Sequence, residues 1–172
     1  MNIVLIGYRG TGKSSVGKLL AERSGRELIS TDAEVVRRAG HSIPDIVKQH
    51  GWDHFRDLES AVCRDLAGKD QLIIDTGGGA ILRQDTVDCL KTNGMLFWLT
   101  AEVATIGRRI GGDTQRPSLT GSKSFIEEVE EVLRERTPKY KAAADHVIAT
   151  DHKTIGEIVD TILQAVARST KC

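Results

Sequence analysis

Residues 7 to 14, G-Y-R-G-T-G-K-S, follow the apolar run Ile3-Val4-Leu5-Ile6 directly and open a segment with Val16, Leu19 and Leu20 at i, i+3 and i+4. A G-x-x-x-x-G-K-S pattern between a buried strand and an amphipathic helix is a phosphate-binding loop, and it constrains this chain more than any other feature. Its glycines let successive backbone N–H groups face one point, and the following helix N-terminus adds partial positive charge there. Gly10, Thr11, Gly12, Lys13, Ser14 and Ser15 are the candidate phosphate ligands of a bound ATP. Lys13 would reach the β- and γ-phosphates and the Ser14 hydroxyl would ligate Mg²⁺. The chain has no N-K-x-D guanine signature and no H-R-D or D-F-G set, which disfavours a Ras-like switch and a protein kinase.

Short apolar runs at 2–6, 27–30, 71–75, 95–100 and 145–149 alternate with helical patterns. That alternation predicts βαβ units on a five-stranded, mostly parallel sheet, a doubly wound α/β fold in one domain over residues 1–172. Residues 33–67 hold several helical segments where one would suffice, and the polar, Gly-rich stretch 111–124 has the composition of a lid or binding loop. Lys plus Arg equals Asp plus Glu at 24 each, so no basic field points to nucleic acid. No apolar run approaches a membrane span. Cys63, Cys89 and Cys172 form no CxxC pair, and the first residues lack a secretory pattern. The expectation is a cytoplasmic, monomeric protein with small-molecule partners, no nucleic acid and no membrane.

Further candidates lie at strand ends, where open α/β sheets bind ligands. Asp32 follows the second strand and suits proton acceptance from, or hydrogen bonding to, a hydroxyl; Thr31 to Glu34 also reads as a T-x-x-E capping box. Arg56 sits beside an apolar stripe of Phe55, Leu58, Val62 and Leu66. It either pairs with Glu59 or Ser60 one turn on, or offers its fork to a substrate carboxylate. Gly77-Gly78-Gly79 after the third strand lets backbone approach a ligand or makes a tight turn. Arg116, in the 111–124 loop, has the chemistry to meet a transferring phosphoryl group, and Arg108 and Arg109 complement a helix C-terminus. The segment Arg136-Thr137-Pro138-Lys139-Tyr140 predicts a helix end or kink.

Taken in order, the P-loop, the Asp after strand two, F-R-x-x-E, G-G-G, R-P and R-x-P-x-Y resemble the shikimate kinase family nearly end to end. The resemblance implies a three-layer P-loop kinase fold of nucleoside monophosphate kinase type, strand order 2-3-1-4-5, and transfer of the ATP γ-phosphoryl to the 3-hydroxyl of shikimate. It implies a substrate site on Asp32, Arg56, Gly77, Gly78, Gly79 and Arg136, with both arginines on the carboxylate and Asp32 as base. Arg116 becomes the lid arginine and Arg109 the one that stacks on adenine. Lys13, Asp32 and Arg116 are thus the expected catalytic set.

The chain departs from the family pattern at two places. Where the family has D-x-D, it has Ser30-Thr31-Asp32, so a carboxylate that meets Mg²⁺ through water is missing. Asp75 ends the third strand, where many P-loop proteins hold the metal, and is expected to take over that shell; a carboxylate that only bonds nearby amides is the other reading. The lid reads R-P-S-L where R-P-L-L is commoner. Two competing functions remain: a kinase for another small hydroxylated acid such as gluconate, and an ATP-binding module without turnover. His41, His50, His54, His146 and His152 show no ligand spacing, and Trp52, just ahead of the F-R helix, is placed to report substrate binding.

Overall fold

The computed structural model describes residues 1–110 and 125–169. Its strands are β1 (Asn2–Ile6), β2 (Glu27–Ser30), β3 (Leu72–Asp75), β4 (Gly94–Thr100) and β5 (His146–Ala149). The helices are α1 (Lys13–Ser24), α2 (Thr31–Ala39), α3 (Ile43–Ala67), α4 (Gln84–Thr92), α5 (Val103–Ile110), α6 (Phe125–Ala143) and α7 (Ile155–Ser169). All strand pairs are parallel, in the order β2-β3-β1-β4-β5.

Alternation along the central strands builds the three layers, because successive strand residues face opposite sides of the sheet. Val4, Ile6, Ile74 and Leu96 pack with Phe55, Val62, Leu66, Val87, Leu90 and Tyr140 from α3, α4 and α6. Ile3, Leu5, Ile73, Phe97 and Leu99 pack on the other face with Val16 and Leu20 of α1 and Ile158, Val159 and Ile162 of α7. Both faces are covered, which explains why β1 and β3 are apolar except for Asn2 and Asp75 and have every residue buried. The edge strands β2 and β5 are more exposed.

Two details differ from the sequence reading. The N-cap of α2 is Ser30, whose side chain accepts from Ala33 N, so no Thr31 capping box forms. Thr31 is fully buried instead, and its hydroxyl accepts from Gly77 N at 2.9 Å. Nor does α6 end at Pro138: it continues to Ala143. Tyr140 and Ala143 are buried beneath the sheet, and that burial outweighs the hydrogen bond that proline removes. Within α3, Gly51 breaks the helical path with φ 82° and ψ 172°.

The five histidines are exposed. Among the described residues no helix is long and apolar enough to cross a membrane.

The Thr31 hydroxyl joins the start of α2 to the turn after β3. Thr31→Val keeps the shape and leaves the Gly77 N–H without an acceptor, a loss of about 1–3 kcal/mol. Denaturant unfolding should show a lower midpoint with an unchanged slope; an unchanged midpoint would mean this bond does not tie the two segments.

Candidate active site

Two neighbouring cavities open at the carboxyl ends of β1, β2 and β3. The first, of about 600 Å³, is lined by the phosphate loop from Gly10 to Val16, by Asp75, and by Arg109, Thr150 and Lys153. Its size suits a nucleotide. Gly7 and Gly12 take positive φ (144° and 95°), which bends the loop around the start of α1. Lys13 is buried, and its ammonium donates to Gly7 O at 2.9 Å and Tyr8 O at 3.2 Å. Arg109 donates to Gly10 O and Thr150 Oγ1, each at 3.1 Å, so the loop is tied to α5 and to the end of β5.

Ser14 Oγ donates to Asp75 Oδ2 at 2.6 Å. β3 places this carboxylate in register with Ser30 on the adjacent strand, so it stands one strand over from the position where the family's first Asp would be. A hydroxyl and a carboxylate converging at a phosphate loop fit Mg²⁺, which takes few protein oxygens and completes its shell with phosphates and water. Among the described residues no cluster of three His, Cys, Asp or Glu side chains forms a self-sufficient metal site.

The second cavity is built from α3, the triple-glycine turn and α6. Arg56, on the second half of α3, donates to Glu59 Oε2 at 2.5 Å, and its guanidinium lies 5.5 Å from the Trp52 ring and 5.1 Å from the Phe55 ring. The one-turn pairing and the place in a cavity are thus both realised. Arg136 is buried and donates to Gly78 O at 3.1 Å. Tyr140 donates to the same carbonyl at 2.5 Å, and burial pushes its phenol up so that it remains a donor. The glycines are needed for close approach: a Cβ at Gly79 would overlap the Arg56 guanidinium, and one at Gly77 would overlap Glu59 and Asp32.

Arg9, Arg56 and Arg136 line this cavity with Asp32 and Glu59, three cations against two carboxylates. Burial raises the Glu59 pKa, against the pull of Arg56 and then Arg136. The cavity therefore presents three guanidiniums between aromatic and glycine walls. Its complement is a small anion with hydroxyls.

Asp32 and Arg9 line both cavities. Asp32, in the first turn of α2, is half-buried where the two meet. The sequence-predicted residues Gly10 to Ser15, Asp75 and Arg109 fall on the first cavity, and Arg56, Gly77, Gly78, Gly79 and Arg136 on the second. Trp52 lines the second. Arg116 and the expected 111–124 lid lie outside the described residues. Sequence reasoning passed over Arg9, one of the unspecified positions of the loop pattern, and Glu59 as a cavity residue; its i+3 spacing from Arg56 was the available signal.

Gly79→Ala is expected to push the Arg56 guanidinium off its seat against Trp52 and Phe55, at about 1–3 kcal/mol of stability, with a change in Trp52 emission. Unchanged stability and emission would contradict the close approach.

The comparisons with known proteins agree with this geometry. A family model described as shikimate kinase matches residues 9–167. A shikimate kinase of Nitratidesulfovibrio vulgaris is 42% identical over 170 residues, covering 97% of this chain and 96% of the relative. A shikimate kinase from Acinetobacter baumannii, solved in complex with shikimate, superposes with a TM-score of 0.91 at 33% identity, over 98% of this chain and 93% of the other. The shikimate kinase of Aquifex aeolicus gives a TM-score of 0.80 at 30% identity, over 99% and 98%. A phosphate loop opening on one cavity, two arginines and a triple-glycine turn around the next, and relatives matching along almost the whole chain lead to one conclusion: this chain belongs to the shikimate kinase family.

Proposed function

We propose that the chain transfers the γ-phosphoryl of ATP to the 3-hydroxyl of shikimate, giving shikimate 3-phosphate and ADP, in the cytoplasm and as a monomer. The observation that carries this reading is the adjacency of the two cavities, one lined by the phosphate loop and one by Arg56 and Arg136, with Asp32 in the wall of both.

In this reading ATP lies along the first cavity with its phosphates in the loop from Gly10 to Ser15. The Lys13 ammonium has three donors, so it can add a phosphate oxygen to its two carbonyl partners. Arg109, anchored at Thr150, offers its planar face to the adenine. Shikimate enters the second cavity, its carboxylate between Arg56 and Arg136 and its ring against the glycine turn. Asp32 hydrogen-bonds the 3-hydroxyl and aims it at the γ-phosphorus. The new O–P bond forms as the bond to the β-phosphate bridging oxygen breaks, the hydroxyl proton passes to Asp32 and then to solvent, and ADP leaves. Because such transition states are loose, aim and charge neutralisation supply most of the acceleration. Arg116 is proposed to add positive charge to the transferring group.

Mg²⁺ would be held by the Ser14 hydroxyl and, through water, by Asp75, and would neutralise charge between the β- and γ-phosphates. The support is the Ser14–Asp75 hydrogen bond together with Asp75's register opposite Ser30.

Gluconate as the acceptor is less well supported, because the family-level match is to shikimate kinases along nearly the whole chain. ADP release from MgATP should require shikimate and should not follow from gluconate or AMP; turnover with gluconate or AMP alone, or with no acceptor effect, would overturn the reading. Asp75→Asn should raise the Mg²⁺ needed for half-maximal activity and weaken Mg²⁺-dependent ATP binding, while shikimate binding followed by Trp52 emission stays the same. Unchanged Mg²⁺ dependence in both measurements would remove Asp75 from the metal shell.

A further inference from the structure

Among the described residues Arg9 and Asp32 line both cavities, and no role in the reaction above uses Arg9. It sits at the tip of the phosphate loop, between Tyr8 and Gly10. Tyr8 is buried among Ile106 of α5 and Val129 and Val132 of α6, which fixes the loop tip against those helices. Next to this apolar anchor, Arg9 Nη2 donates to Glu128 Oε1 at 3.2 Å. Glu128 lies in the first turn of α6, where the helix dipole favours a carboxylate, and only 3% of it is exposed. The Arg9 side chain is 14% exposed, and its guanidinium lies 5.7 Å from the Tyr8 ring centroid. On the other side, Arg9 N is within van der Waals reach of the Gly78 α-carbon's surroundings, since a Cβ there would stand 3.6 Å away. The guanidinium is thus held by a buried carboxylate and a ring, on a residue that lines both cavities.

We propose that Arg9 is a further phosphoryl-binding residue of this enzyme, and that Glu128 is the positioning residue that aims it. A guanidinium at the junction meets the phosphoryl group as its bond to ADP breaks and its bond to the 3-oxygen forms, and it remains against the phosphate of the product. The inference deepens the proposed function and rests on it.

The test compares the intact wild-type chain with Arg9→Met, Arg9→Lys, Glu128→Gln and the Arg9→Met/Glu128→Gln double variant. Turnover is measured at saturating MgATP and shikimate, and the affinities for shikimate and for shikimate 3-phosphate are measured separately by calorimetry. Arg9→Met should lower kcat about 10- to 100-fold and weaken shikimate 3-phosphate binding at least about tenfold, while shikimate binding changes less than about threefold. Arg9→Lys should restore part of the product affinity, since it keeps the charge without the fork. Glu128→Gln should lower kcat less than Arg9→Met does, and the double variant should be no worse than Arg9→Met alone, as expected when one residue acts through the other. Should Arg9→Met fail to fold, Glu128→Gln and Arg9→Lys carry the same comparison of substrate with product. Equal losses for shikimate and its phosphate would reduce Arg9 to a cavity wall and overturn the inference, as would kcat and product affinity unchanged within threefold. Wild-type protein that forms no shikimate 3-phosphate overturns the proposed function itself; active wild type with an unaffected Arg9→Met overturns only this step.

Discussion

The site depends on the way β1 and β3 are held together beyond their last paired residues. Thr76 follows β3 at once, and both its N–H and its hydroxyl donate to Leu5 O, at 3.1 and 2.9 Å. A single carbonyl of the central strand thus fixes where the triple-glycine turn begins relative to the phosphate loop, which begins two residues after Leu5. The two turns come into direct contact: a Cβ on Gly78 would stand 3.5 Å from Gly7 O. Parallel strands put their connecting loops at one end of the sheet, and adjacent strands put two of them side by side. Here one loop has the geometry for phosphate and the other makes room for arginines, so donor and acceptor cavities share a wall.

Charge is arranged as locally as geometry. The chain as a whole has no net charge. Yet the second cavity gathers Arg9, Arg56 and Arg136 around two carboxylates. Buried cations are costly without partners, and each of these has one: Glu128 for Arg9, Glu59 for Arg56 and the Gly78 carbonyl for Arg136. These partners hold the guanidiniums in place, so that in the proposed reading little ordering would be left for the binding of an acid to achieve. Asp75 shows the same economy of position. Its strand register makes it the lateral neighbour of Ser30, and a carboxylate can serve the same phosphate-loop mouth from either strand.

Much of this was legible in the sequence because its signals are local. Strand runs, the loop pattern and the apolar stripe of α3 depend on periodicity and short spacing, and the strands are found within a residue of where the pattern puts them. The capping of α2 was misread because Ser30 and Thr31 are both good cap residues; the choice was made by the Gly77 N–H, 46 positions away, which needs the Thr31 hydroxyl. Of the helix end and the kink that Pro138 left open, the end fails, since the burial of Tyr140 and Ala143 that carries α6 past it is a tertiary fact. Arg9 was invisible because its meaning comes from Glu128, 119 residues on, and from its place between two cavities.

The account's central claim is that a carboxylate held by Arg56 and Arg136 positions the hydroxyl that receives the phosphoryl group. It is tested most directly by comparing shikimate with its amide as acceptors for the wild-type protein, because the amide keeps the ring, the hydroxyls and nearly the size of the carboxylate while removing its charge. Two charge-assisted contacts at about 1.5–3 kcal/mol each predict a kcat/KM for the amide at least about a hundredfold lower. An amide that is phosphorylated as efficiently as the acid would contradict the claim.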